Sequence, residues 1–387
     1  MRATQAIIHL DVFKKNIETL RAHHRANGAE PSICVPVKAD AYGHGAIPAA
    51  KAALEAGARH LAVATVDEGA QLRDAGIRAP ILLLSQCVPA EMEAVWAYSL
   101  TPLVSDTQAA ALFAEAGKQT ALGAIYGEVP PKVTEKLPVF IKIDTGMGRV
   151  GCRPEDAPAL AGFIEQTNAL KIAGIITHFA VSDSSKEENI AYTNTQIERF
   201  SAVAETLKAR GIQTGILSAA NSGGSVSHPK SWFDMVRPGI ILYGYQDAGS
   251  LPALKFKPVM ELVTQIVFTK TVRKGESVSY GRTWTADADT VIGVLPLGYA
   301  DGLPRLLSGN FSVCINGVLY PLAGRICMDQ CMVNLGAHPE VERWDKVTIF
   351  GGAKPALNAA DIAERIGTIP YEITCGISKR VPRVYAD

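Results

Sequence analysis

The sequence predicts an α/β protein: a (β/α)8 TIM barrel over residues 1–244, followed by a mostly-β domain over 245–387. Three observations predict it. Eight short apolar runs recur between residues 33 and 244, and helical patterns separate most of them. None of the runs alternates strictly, which suits parallel strands covered on both faces. After Gly244 the texture changes to β-rich segments broken by Gly, Asn and Asp turns. A doubly wound open sheet is the alternative arrangement of the same N-terminal elements.

A helix comes first, with Leu10, Phe13, Ile17 and Leu20 on one face. The predicted strands then read ICVPVKA (33–39), HLAVAT (60–65), PILLLS (80–85), LTPLVS (100–105), LPVFIKID (137–144), KIAGIITHF (171–179), GILSAAN (215–221) and MVRPGIILYG (235–244). Helices are expected at 67–76 and from about Glu187 to Arg210. The Pro-containing connection 119–136 reads as a surface insertion. In the C-terminal part VMELVTQIVFTKTV, DTVIGVLPLG, FSVCINGVLYPLAG and DKVTIFGG read as strands, and helix returns near 358–367.

Composition removes several classes of function. With 38 basic and 38 acidic residues the net charge is +0, so neither a nucleic acid nor an anionic membrane is expected as partner. No apolar run is long enough for a membrane span, and MRATQAIIHLDVFKK lacks the pattern of a signal peptide. Seven scattered cysteines fit a reduced, cytoplasmic protein. CMDQC has no second Cys or His pair to complete a metal site, so no metal is expected.

In a barrel of this kind the C-terminal strand ends face the active site. Lys38 stands at the first of these ends, followed by Tyr42. The fifth ends at Asp144 and leads into GMGRVG with Arg149; the sixth ends at His178. Asn221 and Ser222 close the seventh, and Arg237, Pro238 and Gly239 lie on the eighth. The glycine-bearing turns after strands seven and eight are where barrels commonly bind phosphate. A lysine at an apolar rim loses its proton readily and can bond a carbonyl carbon. Together with a phosphate cradle it points to pyridoxal 5'-phosphate. GMGRVG also fits a dinucleotide fingerprint, but the next helix pattern starts only near Pro154, beyond the motif.

PVKADAYGHG resembles the cofactor-lysine signature of the alanine racemase family. IKIDTGMGRVG, THFA, ANS, VRPGIILYG, VSYGRTW, GRICMDQ and PYE with RVPR resemble that family too, in its order and over essentially the whole chain. The resemblance implies an enzyme that interconverts L- and D-alanine and supplies D-alanine for peptidoglycan. It implies a homodimer with shared active sites. Lys38 would bond the pyridoxal phosphate and, with Tyr280 from the partner subunit, carry the proton on opposite faces of the substrate. Arg149 and the backbone N–H of Met328, again from the partner, would bind the substrate carboxylate. Tyr42, Ser222, Gly239, Ile240 and Tyr371 would hold the phosphate, with Asn221 beside them; His178 would pack on the cofactor ring and Arg237 would face its nitrogen. Lys142 matches a position often carbamylated. The chain departs from the family pattern in a longer 119–136 connection, and at Ser218, where some members carry a histidine. A racemase of serine, lysine or broader specificity, or a related barrel decarboxylase, would share most of these features.

Overall fold

The structure is a computed structural model, and it describes residues 2–125, 136–246, 254–337 and 339–386. Its first strand, β1 (Gln5–His9), leads directly into the helix Leu10–Ala26. That helix buries Phe13, Ile17 and Leu20 at helical spacing. Each such side chain contributes roughly 1.5–3 kcal/mol of burial free energy.

Among the described residues eight parallel strands follow. They are β2 (Ser32–Pro36), β3 (His60–Val63), β4 (Ile81–Leu83), β5 (Leu103–Val104), β6 (Leu137–Lys142), β7 (Leu170–Ile176), β8 (Ile216–Ser218) and β9 (Met235–Val236). Ladders join β4-β3-β2-β9 and β5-β6-β7-β8. Two seams close them into a barrel. Thr101 N–H donates to Ile81 O at 2.8 Å beside β4 and β5, and Asp234 N–H donates to Leu217 O at 3.2 Å beside β8 and β9. Cys34, Ala62, Leu82, Phe140 and Met235, from five of the strands, are buried together as a separate apolar cluster. A barrel filled this way is a packed core whose chemistry sits on the rim.

The C-terminal part is mostly β. It contains β10 (Met260–Gln265), β11 (Phe268–Val272), β12 (Ser277–Val278), β13 (Trp284–Thr285), β14 (Thr290–Leu295), β15 (Ser312–Ile315), β16 (Val318–Pro321), β17 (Cys331–Gly336), β18 (Lys346–Phe350) and β19 (Arg383–Ala386). One six-stranded sheet runs β16-β15-β18-β10-β1-β19. Asn316 and Gly317, both at positive φ, turn β15 into β16. Among the described residues no helix is long and apolar enough to cross a membrane.

The structure departs from the sequence expectation in four places. The expected first element is a helix, but β1 precedes it and pairs with β10 and β19, inside the C-terminal sheet. Its five residues alternate between half-buried and buried, a signal too short to stand out. The first barrel strand does not reach residue 39: it stops at Pro36, and residues 39–42 wind left-handed. The eighth stops at Val236, because Pro238 cannot donate to a ladder and Ile240–Tyr243 form a 3-10 turn instead. Residues 119–125 of the supposed insertion continue the helix Thr107–Ile125, in keeping with the helix propensity of Ala and Leu there; 126–135 lie outside the described residues.

Candidate active site

Lys38 follows β2 after one residue, Val37, whose N–H donates to Ala62 O at 2.8 Å and carries the pairing one step past the strand. The next four residues, Ala39, Asp40, Ala41 and Tyr42, all have φ between 50° and 54°. For residues with a Cβ this conformation costs roughly 1–2 kcal/mol each. The turn is held from every side. Ala39 N–H donates to Glu68 Oε1 at 2.7 Å, and Asp40 Oδ1 accepts from Ala46 N–H at 2.7 Å. His44, fully buried, sets Nδ1 at 3.0 Å from the carbonyls of Ala41 and Tyr42. Arg383 Nε, from β19, donates to Gly43 O at 2.9 Å.

This turn aims Tyr42 inward. Its ring lies 4.9 Å from that of Tyr243 and 5.7 Å from that of Tyr371, on the helix Pro370–Cys375. Burial raises the Tyr42 phenol well above its ordinary value, so it stays a proton donor. Opposite it, Gly239 N–H donates to Ser222 Oγ at 2.8 Å. A Cβ at residue 239 would lie 2.9 Å from Tyr42 Oη and 3.6 Å from Ser222 Oγ. Tyr42, Ser222 and Gly239 therefore converge on one spot that only a glycine leaves open. A narrow cleft adjoins it, lined in part by Ser222, Ile240 and Tyr371. The Asn221 side chain is committed elsewhere: Oδ1 accepts from Ser182 Oγ at 2.6 Å and from Gly224 N–H at 3.0 Å.

The other strand ends bring positive charge together. Burial, then Arg149, lowers the Lys38 amine. Lys142, on β6 and 7% exposed, is pushed down to about 7 by burial and by Arg237. His178 is driven well below its usual range by burial and by Arg237, Lys142, Arg149 and Lys38, so it is neutral. Arg237 is lowered to about 10 by burial and stays charged at neutrality. It donates to Ser218 Oγ, to Thr177 O at 2.6 Å and to Ala219 O at 3.2 Å, while Ser218 Oγ itself donates to Met235 O at 2.6 Å. Three of the five guanidinium N–H donors are thus taken up, one of them by the serine at 218.

The GMGRVG segment is a closed loop rather than a helix entry. Asp144 accepts from the N–H groups of Gly146 and Gly148 at 3.0 and 3.1 Å, and Cys152 N–H returns to Lys142 O at 2.9 Å. At Gly151, φ is 135° and a Cβ would lie 2.6 Å from Asp144 N, so the loop closes only with glycine there. Arg149 projects from this loop without a hydrogen bond or ion pair among the described residues.

Two expected residues are not brought to Lys38 within the chain. Tyr280 is 70% exposed and Met328 52% exposed. Both flank the loop Arg325–Met328: Ser279 Oγ donates to Arg325 O, and Ala300 N–H to Met328 O at 3.0 Å. The Met328 N–H has no acceptor among the described residues. Glu68, Arg383 and the Thr177 carbonyl were missing from the sequence expectation. Only the Thr65–Glu68 spacing, the pattern of a capping box before a helix, carried a signal.

A barrel rim with a half-buried lysine, a convergence of Tyr42, Ser222 and Gly239, and an arginine without a partner among the described residues fits an enzyme that takes an anionic cofactor and an anionic substrate. Sequence profiles agree on which. The alanine racemase N-terminal domain matches residues 8–247 and the alanine racemase C-terminal domain matches residues 259–385. The chain is 48% identical to an alanine racemase of Treponema denticola, over 100% of this chain and 99% of that one. It is 44% identical to one of Treponema pallidum, over the full length of both. Its fold matches a solved alanine racemase of Clostridium difficile 630 with a TM-score of 0.90 at 34% identity, covering 100% of this chain and 96% of that one. The chain belongs to the alanine racemase family, whose members depend on pyridoxal phosphate. The residues present fit that group: a half-buried amine, a neutral histidine, and a cradle whose floor has no Cβ.

Proposed function

We propose that this chain is an isomerase that interconverts L- and D-alanine with pyridoxal 5'-phosphate, as a homodimer with shared active sites. The observation that carries the reading is the convergence of Tyr42 Oη and Ser222 Oγ on Gly239, on the same rim as the half-buried Lys38 amine. Membership of the alanine racemase family supports it.

When bound, pyridoxal phosphate supplies a sink for the electrons left on the substrate as its α-proton departs. The chain's residues do the rest. Tyr42, Ser222, Tyr371 and the N–H groups of Gly239 and Ile240 hold the phosphate, and Asn221 keeps Ser222 in place. His178 packs on the ring. Arg237 faces the ring nitrogen and can only donate to it, since an arginine does not give up its proton. Arg149 binds the substrate carboxylate together with the N–H of Met328 of the partner subunit. Lys38 and Tyr280 of the partner subunit carry the proton on opposite faces, so both enantiomers are made. A phenol serves as base near neutrality only beside cations, and Arg149 supplies one.

The exposure of Tyr280 and the unpartnered Met328 N–H support the shared site, as do the exposed Tyr299 and Leu306 beside them. An amine near 7 is partly free at neutrality and open to carbon dioxide. A carbamate on Lys142 would place a negative charge among Arg149, Arg237 and Lys38. Two domains follow: residues 1–244 carry the cofactor lysine and residues 245–387 supply Tyr280, with the setting cytoplasmic and the product used for peptidoglycan. Profile matches that end at 247 and resume at 259 support that division.

The test is a chiral product assay of the cofactor-loaded enzyme with alanine, serine, lysine and arginine. Alanine should be racemised fastest. Faster turnover of another amino acid would move the substrate, and release of carbon dioxide would replace the isomerase with a decarboxylase.

A further inference from the structure

Glu68 lies 30 residues beyond Lys38 in the sequence and on a different element, yet it is the carboxylate closest in effect to it. The side chain starts from the first turn of the helix Val66–Asp74. Its Oε2 accepts from Ala64 N–H at 2.7 Å and from Thr65 N–H at 3.3 Å, just past the end of β3. Its Oε1 accepts from Ala39 N–H at 2.7 Å. Ala39 is the residue immediately after Lys38 and the first of the four left-handed residues. One carboxylate therefore ties together the exit of β2, the exit of β3 and the start of a helix. Thr65 Oγ1 answers it by accepting from Glu68 N–H at 3.3 Å, which closes the cap.

The charge matters as well as the bonds. The groups acting on Lys38 are Arg149 from the loop after β6, Glu68, and Cys375 from the helix Pro370–Cys375; Lys38 in turn acts on His178 after β7. Burial keeps the Cys375 thiol protonated, and His178 is neutral. That leaves Glu68, among the described residues, as the anion set against Arg149 at this amine.

We propose that Glu68 is the positioning residue of Lys38: its carboxylate pins the peptide that follows the lysine and supplies the negative charge that balances Arg149 at the amine. The inference rests on Lys38 being the cofactor-bearing lysine. A lysine that must bond a cofactor and then move a proton needs its Cα fixed and its charge state set. A strained turn does neither unless something holds its first peptide. A carboxylate fits because all three neighbours, the backbone groups of Ala39, Ala64 and Thr65, are N–H donors. An amide would turn its own NH2 on one of them.

The experiment compares Glu68→Gln with Thr65→Ala in the cofactor-loaded enzyme. Both weaken the helix cap, but Thr65→Ala leaves the bond to Ala39. Three readouts are taken: thermal unfolding, the pH dependence of the visible absorption of the bound cofactor, and kcat and KM for alanine. Both variants should melt at lower temperature. Glu68→Gln alone should shift the absorption–pH curve, and should lower kcat about 10- to 100-fold with KM little changed, as expected for a misplaced reacting group. Equal behaviour of the two variants in absorption and kcat would reduce Glu68 to a helix cap and overturn the proposal. Should Glu68→Gln fail to fold, Glu68→Asp decides on the same readouts, since it keeps the charge but is too short to reach from the Ala64 and Thr65 N–H groups to that of Ala39. Borohydride reduction of the wild type separates the two levels. If no label appears on Lys38, the functional reading fails; if Lys38 is labelled and the absorption curve does not move, only the role of Glu68 fails.

Discussion

Arg237 places its guanidinium on three oxygen acceptors, two of them backbone carbonyls. It is buried, and its position is set by β7, β8 and the turn after β8 rather than by a bound ligand. Set against the ring nitrogen of the proposed cofactor, such an arginine would leave that nitrogen unprotonated and the electron sink weak, which would disfavour return of the proton to the cofactor. Arg237→Glu should therefore raise the ratio of transamination to racemisation, measured as pyruvate formed per turnover; an unchanged ratio removes Arg237 from this role. Ser218 was legible in the sequence only as a departure from the family pattern, and its bond to Arg237 needed coordinates. Lys142 makes a second residue-scale prediction. Its amine is lowered to about 7, so it should take up labelled carbon dioxide at pH 7.5 and release it on acidification, read by carbon-13 NMR. Lys142→Ala should show no such signal, and a wild type without it refutes the carbamate.

At the scale of elements, the turn after β2 sets the site. Sequence reasoning located Lys38 at a strand end, because an apolar run followed by polar residues marks that boundary. It did not foresee the left-handed turn, since ADAY contains no glycine and nothing local asks for positive φ. Asp40 and His44, which had no role in the sequence reading, are parts of what holds it. Burial lowers the His44 imidazole from 6.5 to about 4. The native state thus binds this proton at lower pH than the unfolded chain does. Its stabilising share is present above pH 6.5 and is lost as the pH falls toward 4, an effect of up to about 3 kcal/mol. His44→Gln should lower stability at pH 7.5 and flatten the acid side of the stability curve in urea unfolding at several pH values. An equally steep acid limb in the variant would assign the sensitivity to other histidines. The cradle gives a simpler case. Gly239→Ala puts a methyl 2.9 Å from Tyr42 Oη, so cofactor should be lost more readily on dialysis while the fold persists.

At the scale of the whole molecule, the barrel was legible because each of its eight strands is a contiguous apolar run, and parallel strands need no partner information to be recognised. The C-terminal sheet was less so. Its central neighbours β1 and β10 lie more than 250 residues apart, and a five-residue strand before a long helix looks like the helix's own approach. A split of the active site between chains, as proposed, is a further step that one chain's sequence does not reveal, because Tyr280 and Met328 are surface residues in their own chain. If each site takes Lys38 from one subunit and Tyr280 from the other, Lys38→Ala and Tyr280→Phe are each nearly inactive alone. Mixed after dissociation and reassembled in equal amounts, half the dimers carry one of each chain. In these, one site lacks both groups and the other has both, so about one quarter of wild-type activity should return. A site built within one chain predicts no recovery at any mixing ratio, and recovery should fade as the mixture is diluted below the dimer's dissociation constant.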